Sequence, residues 1–251
     1  MELKNFDQFI RAVHLKKPGT GTEIPQRYPF TVPAIRELKD LAMHPAVTFF
    51  VGENGTGKST LMEAIAIACG FNPEGGTQNF TFETRASHSE LHQFIKLVRG
   101  VRRPQDGFFL RGESFYNVAT HIDDLDREGA GSLVQSYGGT SLHEQSHGEA
   151  FFSVMMNRFG GRGLYILDEP EAALSPARQM SMLSRMHQLV QMGSQFLIAT
   201  HSPIIMAYPQ ALLYEVTEGG IEVKKYNETT HYFVMKSFLN NPEGMLKILL
   251  E

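Results

Sequence analysis

At 251 residues with a 42% hydrophobic share, the chain is long enough to bury one large core, with room for a small subdomain beside it. A net charge of −4 excludes a surface that traps polyanions everywhere, and the single cysteine, Cys69, excludes a disulfide framework. The start Met1-Glu2-Leu3-Lys4-Asn5 carries no apolar leader and no apolar run is long enough to span a bilayer, so a cytoplasmic protein without direct membrane insertion is expected.

The first expected element is an antiparallel β segment, because Phe9, Arg11, Val13 and Leu15 alternate with Ile10, Ala12 and His14. A connection through Pro18, Pro25, Pro29 and Pro33 follows. Ala46-Val47-Thr48-Phe49-Phe50-Val51 then reads as a buried strand, and Gly52-Glu53-Asn54-Gly55-Thr56-Gly57-Lys58-Ser59-Thr60 satisfies G-x-x-x-x-G-K-[ST] directly after it. Leu61, Met62, Ile65 and Ala68 recur at helical spacing up to a stop at Gly70. A strand, a glycine-rich turn and a helix start form a nest of backbone N–H groups that cradles phosphate. Lys58 is placed for the β- and γ-phosphates of a nucleoside triphosphate, and the Ser59 hydroxyl for Mg²⁺.

Beyond Gly70 a helical pattern is expected around Ser87–Gly100, a strand around Phe108–Arg111 and a helix from Ser114 to about Asp126. Lys96, Arg99, Arg102, Arg103 and Arg111 make a basic cluster, read first as a solvated face and otherwise as a docking site for nucleic acid or an acidic partner. Phe94, Phe108 and Phe109 beside it are candidates for the core. A glycine-containing loop from Arg127 to Gly139 leads to Ser146-His147-Gly148-Glu149, which has the form of a capping box before Ala150, Phe151, Phe152, Val154 and Met155. His143-Glu144-Gln145-Ser146-His147 formally matches the zinc-protease motif, but an N-cap at Ser146 puts the first histidine outside the helix that such a site requires.

Gly163-Leu164-Tyr165-Ile166-Leu167-Asp168-Glu169-Pro170 is a second buried strand ending in two acids. Asp168 is placed to share the Mg²⁺ with Ser59, and Glu169, pointing another way on the alternating strand, to polarise the attacking water. Pro176 opens a helix carrying Met182, Leu183, Met186, Leu189 and Val190, with Gly193 as its stop. Gln195–Ala199 is the next strand, and His201 after it can meet the γ-phosphate or Glu169. This strand–helix–strand unit puts Asp168 and His201 at one edge of a parallel sheet. The tail holds a strand at Ile221–Tyr226 and a short final helix through Phe238 and Met245–Leu250.

With these motifs in this order, the chain resembles an ABC-type ATPase of the AAA family. The resemblance is to the branch that includes the RecF and structural-maintenance-of-chromosomes ATPases, and within it to compact bacterial ATPases. It implies an α/β P-loop fold: a mixed sheet with flanking helices, an N-terminal antiparallel β segment and a small helical insertion. Residues 1–251 would form a single domain, with 1–70 and 146–251 as the nucleotide-binding core and 71–145 as the insertion. Gln78 resembles the family glutamine that completes the Mg²⁺ shell, and Tyr28 or Phe30 the aromatic that stacks on adenine. Ser146, Gly148 and Glu149 resemble the signature segment that caps the γ-phosphate of a partner subunit's ATP. His147 stands where the fuller signature has its first glycine, and Ala172-Ala173-Leu174-Ser175 lacks the usual closing aspartate. The activity implied is Mg²⁺-dependent ATP hydrolysis by a homodimer formed on ATP binding. Its expected role is to drive a nucleic-acid maintenance or defence partner; the alternative is the motor subunit of a transporter.

Overall fold

The computed structural model describes residues 8–16, 25–36, 38, 40–78, 89–112, 119–120, 122, 139, 143 and 145–251. In chain order the main elements are β1 (Ile10–Leu15), β2 (Leu41–Ala42), β3 (Val47–Gly52), α1 (Lys58–Cys69), β4 (Ile95–Arg99), β5 (Asp106–Arg111) and α2 (His147–Ser153). They continue as β6 (Gly163–Asp168), α3 (Pro176–Gln191), β7 (Gln195–Ala199), β8 (Leu212–Thr217), β9 (Gly220–Val223), α4 (Thr230–Asn240) and α5 (Pro242–Leu250). Six strands form one sheet in the order β5-β6-β7-β3-β8-β9, parallel throughout except for β9. Every residue of β3, β6 and β7 is buried, as expected of central parallel strands covered on both faces.

A second sheet, β2-β1-β4, is antiparallel. Between the two sheets lies α1, whose Leu61, Met62 and Ile65 pack with Val13 and Ile95 from the small sheet and Phe50, Ile166 and Leu197 from the large one. The opposite face of the large sheet is covered by α3 through Met182, Met186 and Leu189. Ser175 caps α3 by accepting from Arg178 N–H, with Pro176 at the first helical position. Side chains also join the sheets, Gln195 with the most hydrogen bonds among the described residues, and Tyr214 Oη of β8 donates to the Ala42 carbonyl of β2 at 2.9 Å. Gln195 Oε1 accepts from the N–H groups of Phe9 and Ile10 at 3.1 and 2.9 Å, and its Nε2 donates to the carbonyls of Ile10 and His44 at 2.8 and 2.9 Å.

Several elements depart from expectation. Strand β1 exists, but its alternation is broken: Ile10 and Val13 are both buried, because the register shifts between Ile10 and Ala12 in its pairing with β4. The helix expected over Ser87–Gly100 is a single turn, Leu91–Phe94, running into β4, where Leu97 faces Val13 and Ile95 faces Leu15. The β-prone Ile95-Lys96-Leu97-Val98 finds a strand partner there, and long-range pairing outweighs local helical spacing. The segment from 71 to 145 therefore supplies β4 and β5 to the two sheets as well as helical residues; of the helix expected from Ser114 to Asp126, Ala119, Thr120 and Ile122 are helical and the rest lies outside the described residues. The single final helix is instead two, α4 and α5, divided at Asn241 with Pro242 opening the second. Neither contains a buried residue, and Phe233, Leu239, Ile248 and Leu250 stand exposed. No described helix is long and apolar enough to cross a membrane.

Candidate functional site

Strand β3 delivers Gly52 to the carboxyl edge of the large sheet, where the loop to α1 begins. Its φ of +146° lies in the region that favours glycine, and a Cβ there would sit 2.1 Å from the Val216 carbonyl oxygen of β8. The P-loop thus starts against a neighbouring strand too close for any side chain. Lys58, 3% exposed, donates through Nζ to the carbonyls of Gly52 and Glu53, both at 2.8 Å. Burial lowers its pKa, while Glu169, Asp168, Glu171 and Glu53 pull it back up. Thr56 Oγ1 donates to the Glu53 carbonyl, and Asn54 and Gly55 are exposed at the loop's crest. The Thr60 hydroxyl lies 2.9 Å from Tyr28 Oη. Tyr28 is 64% exposed, whereas Phe30 is buried edge-on against Phe94, so Tyr28 is the aromatic ring available beside the P-loop.

Parallel pairing of β6 with β7, in which Asp168 faces Ala199, brings residues 168–169 and 201 to the same edge as α1. Ser59 Oγ donates to Asp168 Oδ1 at 3.2 Å across 109 residues of chain. A hydroxyl and a carboxylate side by side are the hard oxygen donors that suit Mg²⁺. Glu169 has φ +51°, and its Oε1 lies 3.1 Å from His201 Nε2. Below the P-loop a cavity of about 530 Å³ is lined by Gly52–Thr56, residues 215–219, Thr230 and His231.

Burial raises the Asp168 carboxyl to about 7, with Glu169 adding to the rise and Ser59, Arg111 and Lys58 opposing it. A folded-state pKa above the unfolded value means that the folded chain holds the extra proton between about pH 4 and 7, so this group lowers stability as pH rises through that window. Asp168→Asn is therefore expected to melt higher than wild type in the absence of nucleotide and metal, by more at pH 8 than at pH 5. Thermal melts at the two pH values check this; an equal offset at both would remove Asp168 as the cause.

Two polar neighbours, Glu171 and His231, escaped the sequence reading, and a third, Arg111, enters it only as part of the basic cluster. Glu171 accepts from the His201 backbone N–H, His231 Nε2 sits 3.2 Å from His201 Nδ1, and Arg111, in register with Asp168, pairs with Glu63 at 2.6 Å. Glu171 stands next to the acidic motif and was findable there. His231 carries no spacing signal at all.

Gln78 is a correction. Its amide donates to the Cys69 carbonyl at 3.0 Å, at the far end of α1, whose 12 residues span about 18 Å from the phosphate cradle. Arg99 likewise donates to the Ala68 carbonyl at 2.8 Å. Both satisfy carbonyls that the end of a helix leaves open, and a glutamine in that position is out of reach of Ser59 and Asp168. Arg99, Arg102, Arg103 and Gln78 line a cavity of about 480 Å³ at this end, while Arg111 lies at the other edge and leaves the cluster.

Ser146, Gly148 and Glu149 do not line the P-loop cavity of their own chain. They start α2 with a complete capping box: Ser146 Oγ accepts from Glu149 N–H, and the Glu149 carboxylate accepts from Ser146 N–H at 3.1 Å. Glu149 also meets Arg178 at 3.3 Å. His143 precedes α2, with its Nε2 3.0 Å from the Thr120 hydroxyl, and among the described residues no three His, Cys, Asp or Glu side chains gather as a metal site of their own.

An AAA domain family model matches residues 31–122. The macrolide export ATP-binding/permease protein MacB of Hahella chejuensis is 23% identical over 212 residues, 75% of this chain and 31% of that protein. The chain thus spans less than a third of that relative. The cytochrome c biogenesis ATP-binding export protein CcmA of Mesorhizobium japonicum is 30% identical over 166 residues, 61% of this chain and 77% of that protein. Among solved structures, the SMC head domain from Thermotoga maritima is 16% identical with a TM-score of 0.44, covering 86% of this chain and 98% of that one.

Proposed function

The chain belongs to the ABC-type ATPases of the AAA family, and from that premise we propose that it hydrolyses ATP with Mg²⁺ as a head-to-tail dimer. The observation that carries this reading is the meeting of Lys58, Ser59, Asp168, Glu169 and His201 at one sheet edge. The P-loop N–H groups from Glu53 to Thr60 and the Lys58 ammonium hold the phosphates. Ser59 and Asp168 would hold the Mg²⁺, which offsets phosphate charge when bound. Glu169 takes a proton from the attacking water, and His201 orients Glu169 and donates to the transferred phosphoryl group. Ser146 and the start of α2 present a capped helix end to the partner's nucleotide, so ATP binding and dimer formation reinforce each other. The nucleotide-binding core takes in residues 1–70 and 146–251 together with β5 from the 71–145 segment, which pairs with β6.

Light scattering tests the dimer. In a Glu169→Gln background, saturating ATP and Mg²⁺ are expected to give a stable dimer, and adding Ser146→Arg to return it to monomer. A monomer before that addition would end the head-to-tail reading.

For the partner, the basic residues at the far end of α1 support nucleic acid. Arg99→Ala, Arg102→Ala and Arg103→Ala together are expected to weaken DNA or RNA binding and flatten its salt dependence, with ATP affinity unchanged. Anisotropy titrations with single- and double-stranded DNA and with RNA check this. No binding tighter than ~10⁻⁴ M in the wild type would move the reading to a transporter partner, in line with the export proteins among its relatives.

A further inference from the structure

His201 touches Glu169 through Nε2, and its other ring nitrogen is not free: Nδ1 lies 3.2 Å from His231 Nε2, with the ring centroids 5.3 Å apart. The contact comes from the first turn of α4, and that turn is fastened independently. Thr229, fully buried, caps the helix by accepting from Tyr232 N–H, and its hydroxyl donates to the Tyr226 carbonyl at 2.9 Å. The Thr230 N–H donates to Glu215 Oε1 at 2.8 Å. Beyond this turn α4 has no buried residue, so His231 is set at the catalytic edge by a helix that otherwise lies on the surface.

The far nitrogen of His231 fixes the direction of the protons. Nδ1 is shielded from solvent and has no hydrogen-bond partner among the described residues. An orphaned buried N–H is rarer than an orphaned acceptor, so the proton belongs on Nε2 and the bare lone pair on Nδ1. Burial, then His201 and Lys58, hold the His231 pKa below its ordinary value against the opposing pull of Glu215 and Glu53, which keeps the ring neutral. His231 Nε2–H then donates to His201 Nδ1, and the His201 proton is left on Nε2, facing Glu169 Oε1.

We infer that His231 is a positioning residue for hydrolysis, fixing His201 in the Nε2–H tautomer that holds Glu169 and meets the transferred phosphoryl group. This rests on the catalytic roles given to Glu169 and His201 under the proposed function. Without His231, the Nδ1–H form of His201 gains weight and turns a lone pair toward the carboxylate.

The test pairs His231→Phe, which keeps a ring and loses the donor, with His231→Gln, whose amide keeps one. His231→Phe is expected to lower kcat about 10- to 100-fold with KM for ATP within about twofold, the scale of losing an outer-shell partner. His231→Gln should recover most of that loss. In the wild-type protein, long-range ¹H–¹⁵N spectra should show His201, assigned by its absence in His201→Gln, protonated on Nε2, and His231→Phe should shift it toward Nδ1–H. A wild-type His201 protonated on Nδ1 overturns the inference even if the variants fold poorly. So does a His231→Phe variant at wild-type kcat, or a His231→Gln variant as slow as the phenylalanine one. Glu169→Gln in the same assay separates the two levels: normal turnover there breaks the reading of the site itself, whereas loss there with normal turnover in His231→Phe breaks this inference alone.

Discussion

Glu169→Gln binds ATP with Mg²⁺ and turns it over at least ~100-fold more slowly than wild type, the scale of losing a general base. The substitution is nearly isosteric. It keeps the backbone at φ +51° and leaves an amide oxygen to accept from His201 Nε2, so only proton acceptance is removed. Phosphate release measured beside calorimetric ATP titration checks both halves. Turnover near the wild-type rate would take the base role from Glu169, and Glu171, whose Oε2 is buried without a partner among the described residues, would be next to test.

Lys58→Ala loses ATP binding. The ammonium now held by the Gly52 and Glu53 carbonyls is the loop's own cation for phosphate. A charge-assisted hydrogen bond contributes about 1.5–3 kcal/mol, so losing two costs roughly 3 kcal/mol or more, at least ~100-fold in affinity. The fold is expected to survive. Removing a buried ammonium relieves its desolvation and leaves two carbonyls short of one donor, opposing effects of similar size. Calorimetric titration and a melting curve on the same preparation check this. Unchanged affinity would end the assignment of residues 52–60 to phosphate.

What the sequence disclosed about this edge follows from how central parallel strands are made. Residues 46–51, 163–167 and 195–199 are predominantly apolar runs because β3, β6 and β7 are covered on both faces, and each run ends in its polar payload at the same edge. Glycine at 52 and lysine at 58 report backbone and charge requirements that are local in sequence, and so could be read there. Gln78 could not be placed: a loop glutamine looks the same at either end of α1, and only the tertiary fold shows it beside Cys69. Strand β4 was hidden because Ile95 and Val98 continue the helical spacing of Leu91 and Phe94, which do form a helical turn, while the partner of β4, β1, lies about 80 residues upstream. His231 reaches His201 through the fold of the last third of the chain, across 30 residues without any shared motif.

The amide of Gln195 ties the opening strand to a residue made 185 positions later. At ~5–20 residues per second, ribosomal synthesis takes on the order of 10–40 s to supply it. During that interval Phe9 and Ile10 emerge without the side chain that accepts their N–H groups, and β1 has only β2 and then β4 to pair with. The nascent chain thus carries an incomplete apolar edge until residue 195 has been made. That window suits chaperones that bind extended apolar segments, and the tie of Gln195 to the first strand is made only after it closes.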